Sequence, residues 1–141
     1  MRRLELFRGW VFVPIIVLMG MMILPGLVAG EDFIVRGTSQ AGVSYMTGGI
    51  GLEERATITK EAKNYTLWLE FDISSGNYLS AVEVMIKDAK GGVVIEENSM
   101  GPWFLASLPA GNYLVSAKAL NKAIVMEVEV PAGGKITLTW Q

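Results

Sequence analysis

The chain has 141 residues, 51% of them hydrophobic, with 12 basic and 14 acidic side chains and neither cysteine nor histidine. That length supports one domain, and the two missing residue types exclude Ser-His-Asp and Cys-His nucleophile systems and thiolate or imidazole metal sites. A mild acidic excess with scattered lysines offers no electrostatic footprint for nucleic acid.

The first thirty residues differ from the rest. Arg2, Arg3 and Arg8 lead into an apolar run, Trp10 to Leu24, followed by Pro25-Gly26-Leu27-Val28-Ala29-Gly30. A basic start, an apolar centre and a small-residue exit predict a secretory signal peptide over residues 1–30, cleaved after Gly30 or after Ala29. The alternative is a retained membrane anchor, because the run approaches the roughly 20 residues that span a bilayer. The expected location is periplasmic or extracellular, with a membrane-anchored form as the alternative and membrane contact only through residues 1–30. Removing Arg2, Arg3, Arg8 and Glu5 leaves nine basic and thirteen acidic side chains, a net of −4. Without cysteine no disulfide supports the exported part, so its apolar core must.

Residues 31–42 carry few signals, and Gly37-Thr38-Ser39-Gln40 is loop-like; a flexible lead-in or a loosely paired strand is expected. Residues 43–141 read as a single domain. Val43 to Met46 makes a short first strand, and Thr47-Gly48-Gly49-Ile50-Gly51 leads into a helix near 52–63. Glu53 and Glu54 suit the first turn of that helix and Lys60 and Lys63 its last, as the macrodipole favours. Gly51 serves as N-cap. The expected apolar stripe is Leu52, Ile58 and Ala62.

From Tyr65 to Ile73 the alternation is clean, with Tyr65, Leu67, Leu69, Phe71 and Ile73 on one face and Thr66, Trp68, Glu70 and Asp72 on the other. Val82 to Lys87 alternates next, and Asp88-Ala89-Lys90-Gly91-Gly92 forms a hairpin loop into Val93 to Glu97. Trp103 to Leu108 is a short apolar run, then Leu108-Pro109-Ala110-Gly111 turns the chain into Tyr113 to Leu120. The same device recurs at Val130-Pro131-Ala132-Gly133, between Ile124–Val130 and Ile136–Trp140. About seven short strands at near-regular spacing predict a mainly β, antiparallel β-sandwich with one short N-terminal helix.

The segment LPAGNYLVSAKA, Leu108 to Ala119, resembles the carboxypeptidase regulatory-like modules, which share a transthyretin-like (prealbumin-like) sandwich. With GPWFLASL before it, VPAGGKITLTW after it and SYMTGGIGLEERA at Ser44 to Ala56, the chain is similar to small uncharacterised exported bacterial proteins that carry this module alone. The resemblance implies a fold and an exported context. It implies no activity, and the histidine-dependent hydrolases of the transthyretin-like group are not matched.

The residues singled out for binding are Glu53, Glu54 and Arg55 after the glycine loop, and Trp68, Trp103 and Phe104 among the aromatics. Backbone amides of a glycine loop at a helix start can hold an anion, but neither phosphate-loop spacing is present. One of Trp103 and Phe104 is expected to point away from the core, and Trp68 to be either exposed or covered by the helix. Glu96 and Glu97 with Asp88 or Glu83 lack calcium-loop spacing. The expectation is therefore a non-catalytic exported module without cofactor or metal, binding an envelope protein or another envelope component. A carbohydrate- or polymer-binding module using exposed aromatics is the alternative, and a carboxylate-based hydrolase around Glu53 and Glu54 the more remote one.

Overall fold

The computed structural model describes residues 33–141; the expected signal segment 1–30 lies outside them. Among the described residues the fold is mainly β: nine strands in two sheets, with one short helix. Strands β1 (Val35–Thr38), β2 (Ser44–Gly48), β3 (Leu67–Ile73), β6 (Trp103–Ala106) and β9 (Lys135–Trp140) form one sheet in the order β1-β2-β6-β3-β9. Strands β4 (Glu83–Lys87), β5 (Val93–Asn98), β7 (Gly111–Ala119) and β8 (Lys122–Val130) form the other, in the order β5-β4-β7-β8. Helix α1 (Leu52–Glu61) and a 3-10 turn (Ala62–Asn64) connect β2 to β3.

The alternation seen in the sequence sorts the strand residues into a core shared by both sheets. Leu67, Leu69 and Phe71 of β3, Phe104 and Ala106 of β6 and Leu138 and Trp140 of β9 meet Val84 and Ile86 of β4, Ile95 of β5, Val115 and Ala117 of β7 and Val128 and Val130 of β8. Each is nearly or wholly removed from water, and burying a side chain of this kind stabilises by about 1.5–3 kcal/mol.

Two expectations are corrected, and between two alternatives for the lead-in one is seen. The pairing is not wholly antiparallel: β9 runs parallel to β3, with Trp68 opposite Lys135 and Glu70 opposite Thr137. The cause lies in the two Pro-Ala-Gly turns. Each joins strands of different sheets, β6 to β7 at Pro109 and β8 to β9 at Pro131, so neither closes a hairpin. Thr66 ties both crossings together. Its hydroxyl donates to the Leu108 carbonyl at 2.8 Å and accepts from the Leu108 amide at 2.8 Å, while its carbonyl accepts from the Ala132 amide at 3.0 Å. Tyr113 then donates its hydroxyl to the Pro109 carbonyl at 2.7 Å, fixing the first crossing from the far side.

Secondly, of the two alternatives for residues 31–42, a flexible lead-in or a loosely paired strand, the strand is seen at Val35–Thr38. β1 pairs antiparallel with β2 from Val35–Thr47 to Thr38–Ser44. The Ser39 hydroxyl donates to the Val94 carbonyl of the opposite sheet at 2.7 Å, and Arg36 pairs with Glu61 at 2.7 Å. Backbone pairing and polar anchors hold this strand, which explains its weak apolar pattern. Thirdly, Leu52 does not belong to the buried stripe of α1. Six residues separate it from Ile58, which at 3.6 residues per turn places the two on different sides of the helix. Ile58 is fully buried and Leu52 is exposed.

Candidate functional site

The outer face of the five-stranded sheet carries a second, smaller core. Met46 of β2, Trp103 and Leu105 of β6 and Ile58 of α1 form it, with Ile34, Ala62, Tyr65 and Trp68 packed against them. The helix stands on this face because Ile58 is inserted there; little else of its surface is apolar.

The glycine loop reaches the sheet by close backbone approach. Gly48 and Gly101 touch directly: a Cβ on Gly101 would fall on the Gly48 carbonyl oxygen and within 2.5 Å of its carbon. Gly49 adopts φ +94°, and a Cβ there would press on the Trp103 ring at 3.1 Å. Both positions therefore need glycine.

Glu54 is a buried brace for that loop. Its Oε2 accepts from the amides of Gly49 at 3.0 Å and Ile50 at 3.1 Å, and its Oε1 from the amide of Phe33 at 3.3 Å. This is the reach-back of a third helical residue toward the helix entrance, so the loop amides that could have held an anion are already taken by the protein's own carboxylate. Arg55 donates from Nε to the Gly49 carbonyl at 2.7 Å. Its guanidinium lies 4.3 Å from the Tyr78 ring centre and 5.6 Å from that of Trp103. Glu53 is exposed, and its backbone carbonyl accepts from the Thr57 hydroxyl.

Trp103 links this loop to a buried ionic group that the sequence reading did not single out. Glu70 accepts from Trp103 Nε1 at 2.6 Å, Lys135 Nζ at 2.7 Å and Thr137 Oγ1 at 3.3 Å. Burial pushes the Glu70 carboxyl up, but the hydrogen bonds from Lys135 and Trp103, the Lys135 charge and the Thr137 hydroxyl outweigh it and hold the group below the ordinary carboxylate value. Lys135 Nζ also lies 5.0 Å from the Trp103 ring centre and 5.7 Å from that of Trp68, and the two indoles meet edge to face at 5.0 Å. Trp68 Nε1 and Asp72 Oδ1, on either side of Glu70 along β3, are buried without a protein partner. The signal for Glu70 was visible as an acid between Trp68 and Asp72 on an outward face; the parallel register that brings Lys135 and Thr137 to it was not.

The aromatic residues separate. Phe104 is wholly inside the core between the sheets, stacked on Tyr45 at 5.5 Å, and offers no face to a ligand. Trp103 points to the other side of the same sheet, as expected for one of that pair, yet is also buried. Trp68 is half-buried against the helix-covered cluster. A cleft of about 740 Å³ lies elsewhere, lined by Lys87, Asp88, Asn112, Tyr113, Glu127 and Glu129 among others, and none of the six residues singled out lines it. Asp88 Oδ1 is engaged in its own turn, accepting from the Lys90 and Gly92 amides. Among the described residues no group of three or more acidic side chains converges as a metal site.

What the loop does present is apolar surface. Leu52 is 83% exposed, Ile50 58% and Phe33 55%, and Met100 and Tyr78 are exposed as well. All five attach to one end of the sheet: Phe33 and Ile50 through Glu54, Leu52 as the first helical residue, Met100 through its amide on Thr47 Oγ1 at 3.0 Å, and Tyr78 beneath Arg55. No protein-family model matches the chain, and no curated protein matches it by sequence.

Proposed function

We propose that the protein is an exported, non-catalytic β-sandwich module of the carboxypeptidase regulatory-like, prealbumin-like kind, and that it binds a component of the cell envelope through the end of the sheet built around Gly48–Arg55. The observation that carries this reading is the set of exposed apolar side chains at this end: Ile50 and Leu52 on a loop and helix start locked from behind, with Phe33, Tyr78 and Met100 from the segments joined to it. Apolar residues gathered in this way mark interaction surfaces, and Glu54 and Arg55 spend their polar atoms holding the loop in place.

The same engagement speaks against a hydrolase centred on the two glutamates. A general base needs a free lone pair aimed at a substrate proton; Glu54 directs both oxygens at backbone amides, and Glu53 stands on exposed helix surface. A photo-crosslinking amino acid at Ile50 of the full-length protein, activated in intact cells, tests the proposal. Adducts with an envelope component from position 50, and none from the same probe at Leu120, are expected. Equal yields from both positions, or none from either, would overturn it.

A further inference from the structure

We propose that the occupant of this apolar end is the lipid surface itself, with Phe33, Ile50 and Leu52 entering the headgroup–acyl boundary. The inference rests on the binding role proposed above and names its partner. Its main support is where the preceding chain joins the domain. The apolar run Trp10–Leu24 ends nine residues before Phe33, and Phe33 belongs to the patch. A chain spans at most about 3.3–3.6 Å per residue, so nine residues make a short tether whatever their conformation. In the membrane-anchored form, the alternative to a cleaved signal peptide, this tether gives the patch a high effective concentration at the lipid, and weak individual contacts suffice.

The chemistry of the patch fits that boundary. Aliphatic side chains and a phenyl ring are exposed, and an aromatic with a polar tip, Tyr78, is exposed as well, with the guanidinium of Arg55 from the same end across its ring. Amphipathic aromatics favour the headgroup level. The backbone behind these side chains is also braced. Glu54 fixes the Phe33, Gly49 and Ile50 amides, and Gly48 is packed on Gly101, so the apolar side chains are presented without further ordering of the backbone. Of the other exposed apolar residues, Val35 lies on β1 of the same sheet, and Val93, Leu114, Leu120 and Val125 belong to the four-stranded sheet and its connections.

Because the chain has no cysteine, single labels can be placed without other changes. Full-length Leu52→Cys and Val125→Cys, each carrying an environment-sensitive fluorophore, are compared in phosphatidylcholine–phosphatidylglycerol vesicles and in native envelope preparations. The expected result in vesicles is a blue-shifted label at position 52, quenched by nitroxide-labelled lipid and protected from aqueous iodide, with the reverse at position 125. A label at 52 open to iodide in vesicles but protected in native envelopes would overturn the lipid proposal and leave envelope binding standing. A label at 52 protected from iodide yet untouched by nitroxide lipid would assign the patch to a protein surface and overturn it equally. Iodide access in both preparations would sink both readings.

Discussion

Replacing Glu70 by glutamine should lower stability by about 2 kcal/mol at neutral pH, for reasons that can be apportioned. Glu70 is 7% exposed and accepts from Trp103, Lys135 and Thr137. A hydrogen bond to a charged group contributes about 1.5–3 kcal/mol. Glutamine keeps a carbonyl for the Trp103 indole but at neutral strength, roughly half the charge-assisted value. The Lys135 side chain is 33% exposed, so water replaces its lost partner and that share is discounted to about 1 kcal/mol or less. For a domain of this size about 2 kcal/mol corresponds to a melting point lower by about 8 °C. The pH dependence supplies an independent check. The folded-state pKa of Glu70 is depressed, so its contribution is fully present above the unfolded value of about 4.3 and is lost as pH falls through the folded value. Thermal unfolding of both proteins between pH 7 and pH 3 should therefore show curves separated at neutral pH that converge in acid. In Lys135→Met the loss should begin at higher pH, because the nearby cation that favours the carboxylate is gone. Equal melting points at pH 7, or a separation that persists unchanged at pH 3, would refute the assignment of Glu70 as a paired carboxylate.

Further outcomes follow from the loop and the helix. Gly101→Ala forces a methyl group onto the Gly48 backbone, which has no flexible side chain to yield, and should cost about 3 kcal/mol in chemical denaturation; a cost below about 1 kcal/mol would show that the two backbones separate easily. Ile58→Ala removes the only fully buried apolar side chain of α1 and should cost about 2–4 kcal/mol, with amide exchange rising over residues 52–64 before the sheets respond; uniform exchange across the domain would contradict a separately anchored helix. Glu54→Ala should accelerate exchange at the Phe33, Gly49 and Ile50 amides and cost about 1–3 kcal/mol, and unchanged exchange at those three would mean the carboxylate does not hold the loop.

The strands were legible because alternation is local: the side chains of Leu67, Leu69 and Phe71 must share a face wherever the strand lies. Partnership was not legible, since it depends on which sheet the next strand joins. Pro109-Ala110-Gly111 and Pro131-Ala132-Gly133 announce a change of direction, but nothing within either tripeptide distinguishes a hairpin from a crossing between sheets. The antiparallel expectation therefore missed β3–β9, and with it the meeting of Glu70, Lys135 and Thr137. β1 was legible only as one of two alternatives, because its pairing is carried by backbone and its residues are mostly exposed. In the candidate site, Glu54 and Arg55 were found by their place beside the glycines, but their role required coordinates: one carboxylate turned back on its own loop looks the same in sequence as one turned toward a ligand. Phe104 and Trp103 illustrate the same limit. Adjacency placed them on opposite faces, yet only the packing of α1 on the sheet decides that the outward ring is also covered.

The claim that the Gly48–Arg55 end is the working surface is tested most directly by hydroxyl-radical footprinting of the whole protein, purified and in its native envelope. Reduced oxidation is expected at Phe33, Ile50, Leu52, Tyr78 and Met100 in the envelope, with Val93, Leu114, Leu120 and Val125 unchanged. Protection of the second group with the first unchanged would place the working surface on the four-stranded sheet and refute that claim.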